Sequence, residues 1–568
     1  LGDLSEVFVP FETVKTNKGK VIYRNVTLDG GLGDAELLSR YNYVTLDGGG
    51  SAEGVYDKKV FFAERYGGDG ILNNGGGARC GFDGRFQLKG VGVNQLLGVR
   101  SSDVYGNSHA NGFLCLNIAL YESIWAEVIQ IALPYGAVST VAIIDLEAEF
   151  EEENVPHARA LLVRLPVVRP AHFIRAMYFK EKKYDVISED AKRVSAALRK
   201  LASFLPGEKT CQASEALSDR LSVGMVELAI RYANQFATAR SKRIYHSNVS
   251  ASNITIDGAW LDLSRTTVFS ERLWWDGFDL NNFKEEFVPA INSIREMCFY
   301  LSKCGVISSN ESGGIFEKVR TAFNAEYERT LSVCNAVQVG FPLCIIKNIT
   351  GNPVFLKFSQ SLIKVLAKDK YNIVPVFAGS WVGYEHGVSR LYRQLLKGKC
   401  NNEVVDLSWF SEDRSLLSEL VVSYGSLFDL IVSEARIRGV ARSNLVACVS
   451  INLTRLNRFN SVLVELNDEI IDAIRNSAMS GDASCYRRLF ERSTLASSQA
   501  FKYDEEFELS VWEDESVVVK FEALAGRFVI EGSKSKTTCV RAEGTIKHEF
   551  ARMKSMFCFY KNSESVFL

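Results

Sequence analysis

The 568-residue chain is 47% hydrophobic and 24% charged, which excludes a disordered protein and gives length enough for about two to four domains. Its net charge of −2 sets up no overall field toward nucleic acid or an acidic membrane, so any phosphate binding has to be local. The twelve cysteines include no C-x-x-C pair, with Cys298 and Cys304 the closest, and the six histidines form no H-E-x-x-H, so zinc and a disulfide framework are both disfavoured. Scattered thiols of this kind suit a reducing compartment. The N-terminal LGDLSEVFVPFETVK has neither the basic start nor the apolar core of a signal peptide, and no run of about 18 apolar residues occurs. The expectation is a cytoplasmic protein that binds neither nucleic acid nor membrane.

Residues 1–60 read as a β-rich N-terminal extension, in which V-T-L-D-G-G occurs at Val26–Gly31 and again at Val44–Gly49 as two similar hairpin turns. The texture changes over 61–175. Asn73–Gly92, NNGGGARCGFDGRFQLKGVG, places a glycine cluster (Gly75, Gly76, Gly77) and Arg79 before a turn at Asp83-Gly84 and a strand ending in Lys89. Glycines between strands let backbone amides approach phosphates, and a strand-end lysine supplies a point charge for them. A plain Gly-rich hairpin with a solvent-facing lysine fits the same residues. A helix is predicted over Cys115–Ala132, carrying Glu122 and Glu127 among apolar residues, and ends at Leu133-Pro134-Tyr135-Gly136. Val138–Ile144 then reads as a buried strand, Asp145–Glu153 as an acidic loop, and ARALLVRLPVVR as a strand region flanked by Arg164 and Arg169.

Helical spacing dominates 176–500, with predicted segments at 174–205, 213–239, 282–303, 314–334, 359–366 and much of 386–500. Residues 501–568 alternate as antiparallel strands and read as a small β appendage. Within the helical part lies His246–Ser264, HSNVSASNITIDGAWLDLS: a polar loop, a short apolar piece, a turn at Asp257-Gly258, and a second apolar piece ending in Asp262. Such a hairpin holds the amide of Asn253 and the carboxylate of Asp262 at neighbouring strand ends. Both are oxygen ligands, and Mg²⁺ on a nucleotide takes one or two protein oxygens while phosphates and water supply the others. An Asx-rich turn between two strands is the competing reading.

Glycine loop, strand lysine, helix glutamate, arginine strand, helices and H-x(6)-N…D follow one another in the order of a protein-kinase-like fold. In detail the chain resembles the selenoprotein O family, pseudokinases that transfer AMP from ATP to protein hydroxyls. FQLKGVG (Phe86–Gly92) is similar to that family's Q-L-K-G-A-G, and ALYESIWAEVIQIALPYGAVSTVAII (Ala119–Ile144) to its R-E-S-L-A-S-E-A-M…L-G-I-P-T-T-R-A-L. LLVRLPVVRPAHF (Leu161–Phe173) is similar to M-R-V-A…R-F-G-x-F, and His246–Ser264 to H-G-V-M-N-T-D-N-M…L-D-Y-G. The polymerase-associated nucleotidyltransferase domain of nidoviruses shares this architecture, without a polymerase being read here. The resemblance implies an α+β, bilobal kinase-like fold: a β-rich N-lobe over 61–175 and a helical C-lobe over 176–500. It further implies that Lys89 contacts phosphates and pairs with Glu122, that Arg164 and Arg169 meet the phosphates, and that Asn253 and Asp262 hold Mg²⁺ (or Mn²⁺). Arg79 transfers less directly, because GGGAR shifts the arginine by one place from the family's G-D-G-R-A.

The departures concern the base. The acidic residue that precedes the metal asparagine in the family is Ser252 here, and the place of a kinase's own catalytic aspartate, two after the histidine, holds Asn248. A general base is worth roughly 10²–10⁴-fold, whereas nucleotidyl transfer depends mainly on positioning and charge neutralisation. The implied partner is a protein or peptide acceptor. Two alternatives stay open: ATP-driven activation of a carboxylate or peptide, with the C-terminal region binding a partner enzyme, and a decayed nucleotide-binding scaffold.

Overall fold

The computed structural model describes residues 1–46, 57–68, 74–97, 111–152, 154–176, 189–207, 216–270, 280–378, 381–458, 461–513, 517–532 and 536–539. The N-terminal half contributes β1 (Phe8–Lys15), β2 (Lys20–Arg24), α1 (Asp34–Tyr41), β3 (Tyr43–Val44), β4 (Lys58–Glu64), β5 (Cys80–Phe82), β6 (Gln87–Lys89), α2 (Leu116–Ala132), β7 (Thr140–Glu152) and β8 (Val155–Arg164). All eight strands join one antiparallel sheet in the order β2-β7-β8-β6-β5-β4-β1-β3. The boundary expected near residue 60 is therefore crossed by the sheet, with β1 and β3 at one edge and β2 at the other. The first V-T-L-D-G-G turn does reverse the chain, but into α1 rather than a second strand. Its Asn25 and Asp29 side chains accept from the Thr27 and Gly31 amides, and the Asx turns so formed hand the chain to a helix. The second copy lies partly outside the described residues.

Period-two alternation assigns each strand residue to a face. Along β8, Leu161 and Val163 enter an outer core with Val9, Phe61 and Leu88, while Ala160 and Leu162 face α2. The same rule turns Gln87 and Lys89 away from Leu88, toward α2. The acidic stretch expected as a loop is instead strand: β7 runs to Glu152 and pairs with β8 to its tip through an irregularity between Asp145 and Glu149. Helix α2 is apolar on nearly all sides, and twelve of its seventeen residues are buried. Each large aliphatic side chain so buried contributes about 1.5–3 kcal/mol.

The remaining elements are α3 (Asp190–Lys200), α4 (Leu217–Ser241), β9 (Ile244–Tyr245), β10 (Thr267–Val268), α5 (Leu280–Lys284), α6 (Val288–Lys303), α7 (Ser309–Gln338), α8 (Leu343–Ile349) and α9 (Pro353–Leu366). They continue with β11 (Ile373–Ala378), β12 (Trp381–His386), α10 (Gly387–Asn401), α11 (Arg414–Ile437), α12 (Arg442–Asn452), α13 (Ser461–Val464), α14 (Leu466–Ser480) and α15 (Ser484–Phe501), and end with β13 (Glu508–Glu513), β14 (Val517–Glu522), β15 (Arg527–Gly532) and β16 (Lys536–Cys539). The whole is a mixed α+β protein, β-rich first and mainly helical afterwards. Helix α7 starts at Ser309 rather than near 314, because Ser308 and Glu311 form a reciprocal capping box. The hairpin β11–β12 was not expected, nor was the sequestration of the C-terminal strands. Leu509, Val519, Phe521, Phe528 and Ile530 bury into one core with residues of α9–α12. Helix α11 is long and apolar enough to cross a membrane, yet its stripe of Leu420, Tyr424, Leu427, Phe428 and Ile431 belongs to that core.

Helix α15 returns to the N-terminal half and packs on α2. Tyr23 of β2 stacks on Phe490 at 4.0 Å, and its hydroxyl donates to Glu127 of α2 at 3.1 Å. The outer side of α2 is thereby fixed by the far end of the chain, while its inner side carries Glu122.

Candidate functional site

Three short elements converge beneath the sheet. Strand β6 supplies Gln87 and Lys89, the end of β8 supplies Arg164 opposite Gln87 in register, and the loop after β9 supplies Asp262. Lys89 donates to both carboxylate oxygens of Glu122, at 2.6 and 2.8 Å, and to Asp262 Oδ1 at 2.7 Å. Arg164 donates from Nη1 to the same Asp262 oxygen at 2.9 Å and from Nε to Gln87 Oε1. Lys89 and Glu122 are 3% and 5% exposed whereas the Asp262 side chain is 23% exposed, so Asp262 is where this buried cluster opens outward.

Arg169 lies one short loop beyond β8. Its Nη1 donates to the carbonyl of Ser252 at 2.9 Å, its Nη2 to Gln87 Oε1 at 3.4 Å, and its guanidinium comes within 3.9 Å of Asp262 Oδ2. It therefore ties the 246–264 loop to the sheet. Burial by itself would raise the Asp262 carboxyl, but Lys89, Arg164 and Arg169 together hold it well below the usual carboxylate range. Burial likewise opposes the charge of Arg164, and Asp262 more than restores it. Asp262 also has φ of +57°, a left-handed conformation that aspartate tolerates better than most residues and that costs of order 1–3 kcal/mol.

The loop itself is braced by His246. Burial lowers its pKa, leaving the ring neutral, with Nε2 donating to the Leu261 carbonyl at 3.1 Å and Nδ1 accepting from the Asn248 amide at 3.4 Å. The turn at Asp257-Gly258 closes through an Ile254–Trp260 bridge, and the Leu261 amide donates to the Asn253 carbonyl at 3.0 Å. Asn253 and Asp262 thus sit on adjoining chain segments, one residue out of register. Asn253 Nδ2 donates to the Asn248 carbonyl at 2.8 Å, while Oδ1 accepts from the Ser252 hydroxyl at 3.2 Å. Among the described residues no three His, Cys, Asp or Glu side chains gather as a metal site. The oxygens of Asn253 and Asp262 suit a hard cation that shares its shell with phosphates and water.

The glycine cluster is placed differently from what a phosphate cradle requires. The Gly75 amide donates to the Leu96 carbonyl at 2.8 Å, Gly76 to Asn74 Oδ1 at 3.2 Å, and Gly77 to the Glu64 carbonyl at 2.8 Å. A Cβ on Gly76, whose φ is +136°, would lie 2.2 Å from that same Glu64 oxygen. The glycines here let two backbone segments touch, and their three amides are donors to protein. Arg79 donates to the Phe113 carbonyl at 3.2 Å.

Several members of the site were not singled out from the sequence. Gln87 bridges Arg164 to Glu64, donating its amide to the Glu64 carboxylate, which His172 Nε2 also meets at 3.0 Å. Burial favours a neutral Glu64, but the bond to His172 and the charge of Arg169 keep it ionised; burial in turn holds His172 below its ordinary pKa. Tyr66 lies under the Arg169 guanidinium at 5.2 Å. The signals were polar residues inside otherwise apolar segments: Gln87 in FQLKG, Glu64 ending KKVFFAE, and His172 in RPAHF. No protein-family model matches the chain, and no curated protein matches it.

Proposed function

We propose that this chain is a kinase-like nucleotide-binding protein of the selenoprotein O type, which binds ATP with Mg²⁺ or Mn²⁺ and transfers AMP to a hydroxyl of a protein or peptide. The observation that carries the reading is Lys89, held at once by Glu122 of α2 and by Asp262, 173 residues later in the chain. A lysine shared between a helix glutamate and a metal-binding aspartate is the arrangement in which kinases hold nucleotide phosphates.

The residues divide the work as follows. Lys89, Arg164 and Arg169 are three cations whose anionic partner at the cleft is Asp262. Lys89, Arg164 and Arg169 would hold the polyphosphate in place of that carboxylate, and Asp262 with Asn253 would hold a divalent ion. The ion, when bound, neutralises phosphate charge. In the transfer, the acceptor hydroxyl oxygen bonds to the α-phosphorus, the bond from that phosphorus to the α,β-bridging oxygen breaks, pyrophosphate leaves, and the hydroxyl proton passes to solvent. Phosphate transfer is disfavoured because Asn248 stands in the place of a kinase's catalytic aspartate, while Ser252, at the acidic position of the resembled family, leaves AMP transfer to positioning and charge neutralisation without a carboxylate base.

Incubation with ATP labelled at the α- or the γ-phosphate tests this directly. Covalent label from the α-phosphate only, lost on Asp262→Ala, is the expected result. Label from the γ-phosphate would mean kinase chemistry, and AMP released together with a modified small acceptor would mean the activating-enzyme alternative.

A further inference from the structure

Where α15 packs back on the N-terminal sheet, it leaves a groove of about 580 Å³ beside β2. Val21 to Arg24, four consecutive residues of that strand, all line it. Val21 leans on the outer core and Tyr23 on the α2 side of the sheet, so a groove that touches both runs along the strand's edge rather than over one face. That edge is open. Strand β2 ends the eight-stranded sheet and pairs with β7 on one side, and among the described residues no strand lies on the other.

The opposite wall is one stripe of α15. Arg487, Glu491, Thr494 and Ser498 recur at the three- and four-residue spacing of a single helix face. Tyr23 and Phe490, stacked at 4.0 Å, join the two walls. An open strand edge facing a helix stripe suits an extended peptide, whose main chain bonds to the edge while its side chains are read by the helix. The five residues of β2 offer about 17 Å of such edge. The lining then selects charge. Its acids are Asp34, Glu127, Glu491 and Glu513, and its bases Arg24 and Arg487. Arg24 is neutralised within the chain, 3.4 Å from Asp34 and 3.7 Å from Asp29. Glu127 meets the neutral Tyr23 hydroxyl and Asn25 amide, at 3.1 and 3.4 Å, and Glu491 and Glu513 are exposed. Three carboxylates therefore stand against the one guanidinium of Arg487, and the groove is acidic on a chain whose net charge is only −2.

We propose that the groove between β2 and α15 takes an extended basic segment of a partner protein, which joins the sheet as a further strand beside β2. Because the side chains of a strand alternate, every second one meets the acids of α2, α15 and β13 while the main chain bonds to β2. Glu127 and Glu122, five residues apart, project from different sides of α2. The groove is thus separate from the Lys89–Asp262 cluster, and the proposal holds whatever that cluster binds.

The test offers the full chain an array of hexapeptides in which Lys or Arg alternates with Val, Ile, Thr, Leu, Phe or Tyr, beside a matched array with Glu at every basic position. Basic members are expected to be retained and acidic ones not. For the tightest binder, fluorescence anisotropy of the labelled peptide should show Kd raised at least about tenfold by Glu491→Lys and by Glu513→Lys, because each reversal replaces an attraction with a repulsion. Both side chains are exposed, so neither variant disturbs the core. Methylating one alternate set of the peptide's backbone nitrogens should abolish binding, and methylating the other set should leave it largely intact, since an added strand bonds to its neighbour through every second residue. No retention of the basic array, equal retention of both arrays, an affinity unchanged in both variants, or an equal effect of the two methylated sets would each overturn the proposal.

Discussion

Lys89→Met lowers the unfolding free energy by about 3–5 kcal/mol, the cost of leaving one member of a buried ion pair uncompensated. Lys89 and Glu122 are nearly sealed from solvent, and Glu122 accepts both its charged bonds from this lysine. Once the ammonium is removed, the carboxylate stays among Leu120, Ile124 and Trp125 on a helix that α15 holds in place. The charge then has no route to water unless α2 moves. The double variant Lys89→Met/Glu122→Met removes both charges and replaces them with flexible apolar side chains, so its stability returns to within about 2 kcal/mol of the wild type. Urea midpoints for the four proteins of this cycle measure the coupling. A single variant as stable as the wild type would mean that the pair is not closed in solution. Nucleotide binding separates the two roles of the lysine: the double variant regains stability but not ATP.

Ser252→Asp carries the second large effect, and in the opposite direction. The hydroxyl of Ser252 donates to Asn253 Oδ1 and shares a 3.0 Å contact with the Ser250 hydroxyl, while its carbonyl is held by Arg169. The backbone at this position is thus fixed from two sides, and a carboxylate introduced here takes the place of a base beside Asn253, the proposed metal ligand. AMP transfer is expected to rise by roughly 10²–10⁴-fold, the typical contribution of a general base. The rise should follow a pH dependence absent from the wild type, flattening above the carboxylate's pKa. If the rate is unchanged, the acceptor hydroxyl loses its proton without help, and Ser252 is a tolerated replacement rather than a lost function.

The site was legible in the sequence to the extent that charge interrupts apolar pattern. Lys89 and Glu122 stand out because each is an ionisable residue in a segment that is otherwise buried, and Asp262 because it ends a short apolar run after a turn. What lay between them was harder to see. Gln87 and Glu64 are links in the same network, but a glutamine in a strand or a glutamate at a strand end is ordinary until its neighbours are known. The glycine cluster shows the converse. Three adjacent glycines announce close approach, yet a sequence does not say whether phosphate or another backbone does the approaching. Here Glu64 and Leu96 occupy the amides. Long-range pairing was invisible for the same reason: the sheet draws β1 to β4 across a Gly-rich stretch that reads as a boundary. The hairpin β11–β12 fell in a gap between helical segments, although I-V-P-V-F-A and W-V-G-Y-E-H, apolar and β-branched or aromatic, carried a strand signal.

If the Lys89–Glu122–Asp262 cluster is the proposed metal-dependent nucleotide site, ATP binding responds to Mg²⁺ through Asp262. Equilibrium titration with ATP, with and without Mg²⁺, on the wild type and on Asp262→Ala measures this most directly. In the wild type Asp262 occupies the cations that phosphate needs, so binding should be weak without metal and tighten at least about tenfold when Mg²⁺ draws the carboxylate away, a change of about 1.4 kcal/mol. In the variant the cations are already free, so ATP should bind without metal and gain nothing from it. Equal affinity with and without Mg²⁺ in the wild type, or a metal effect that survives Asp262→Ala, would contradict the account.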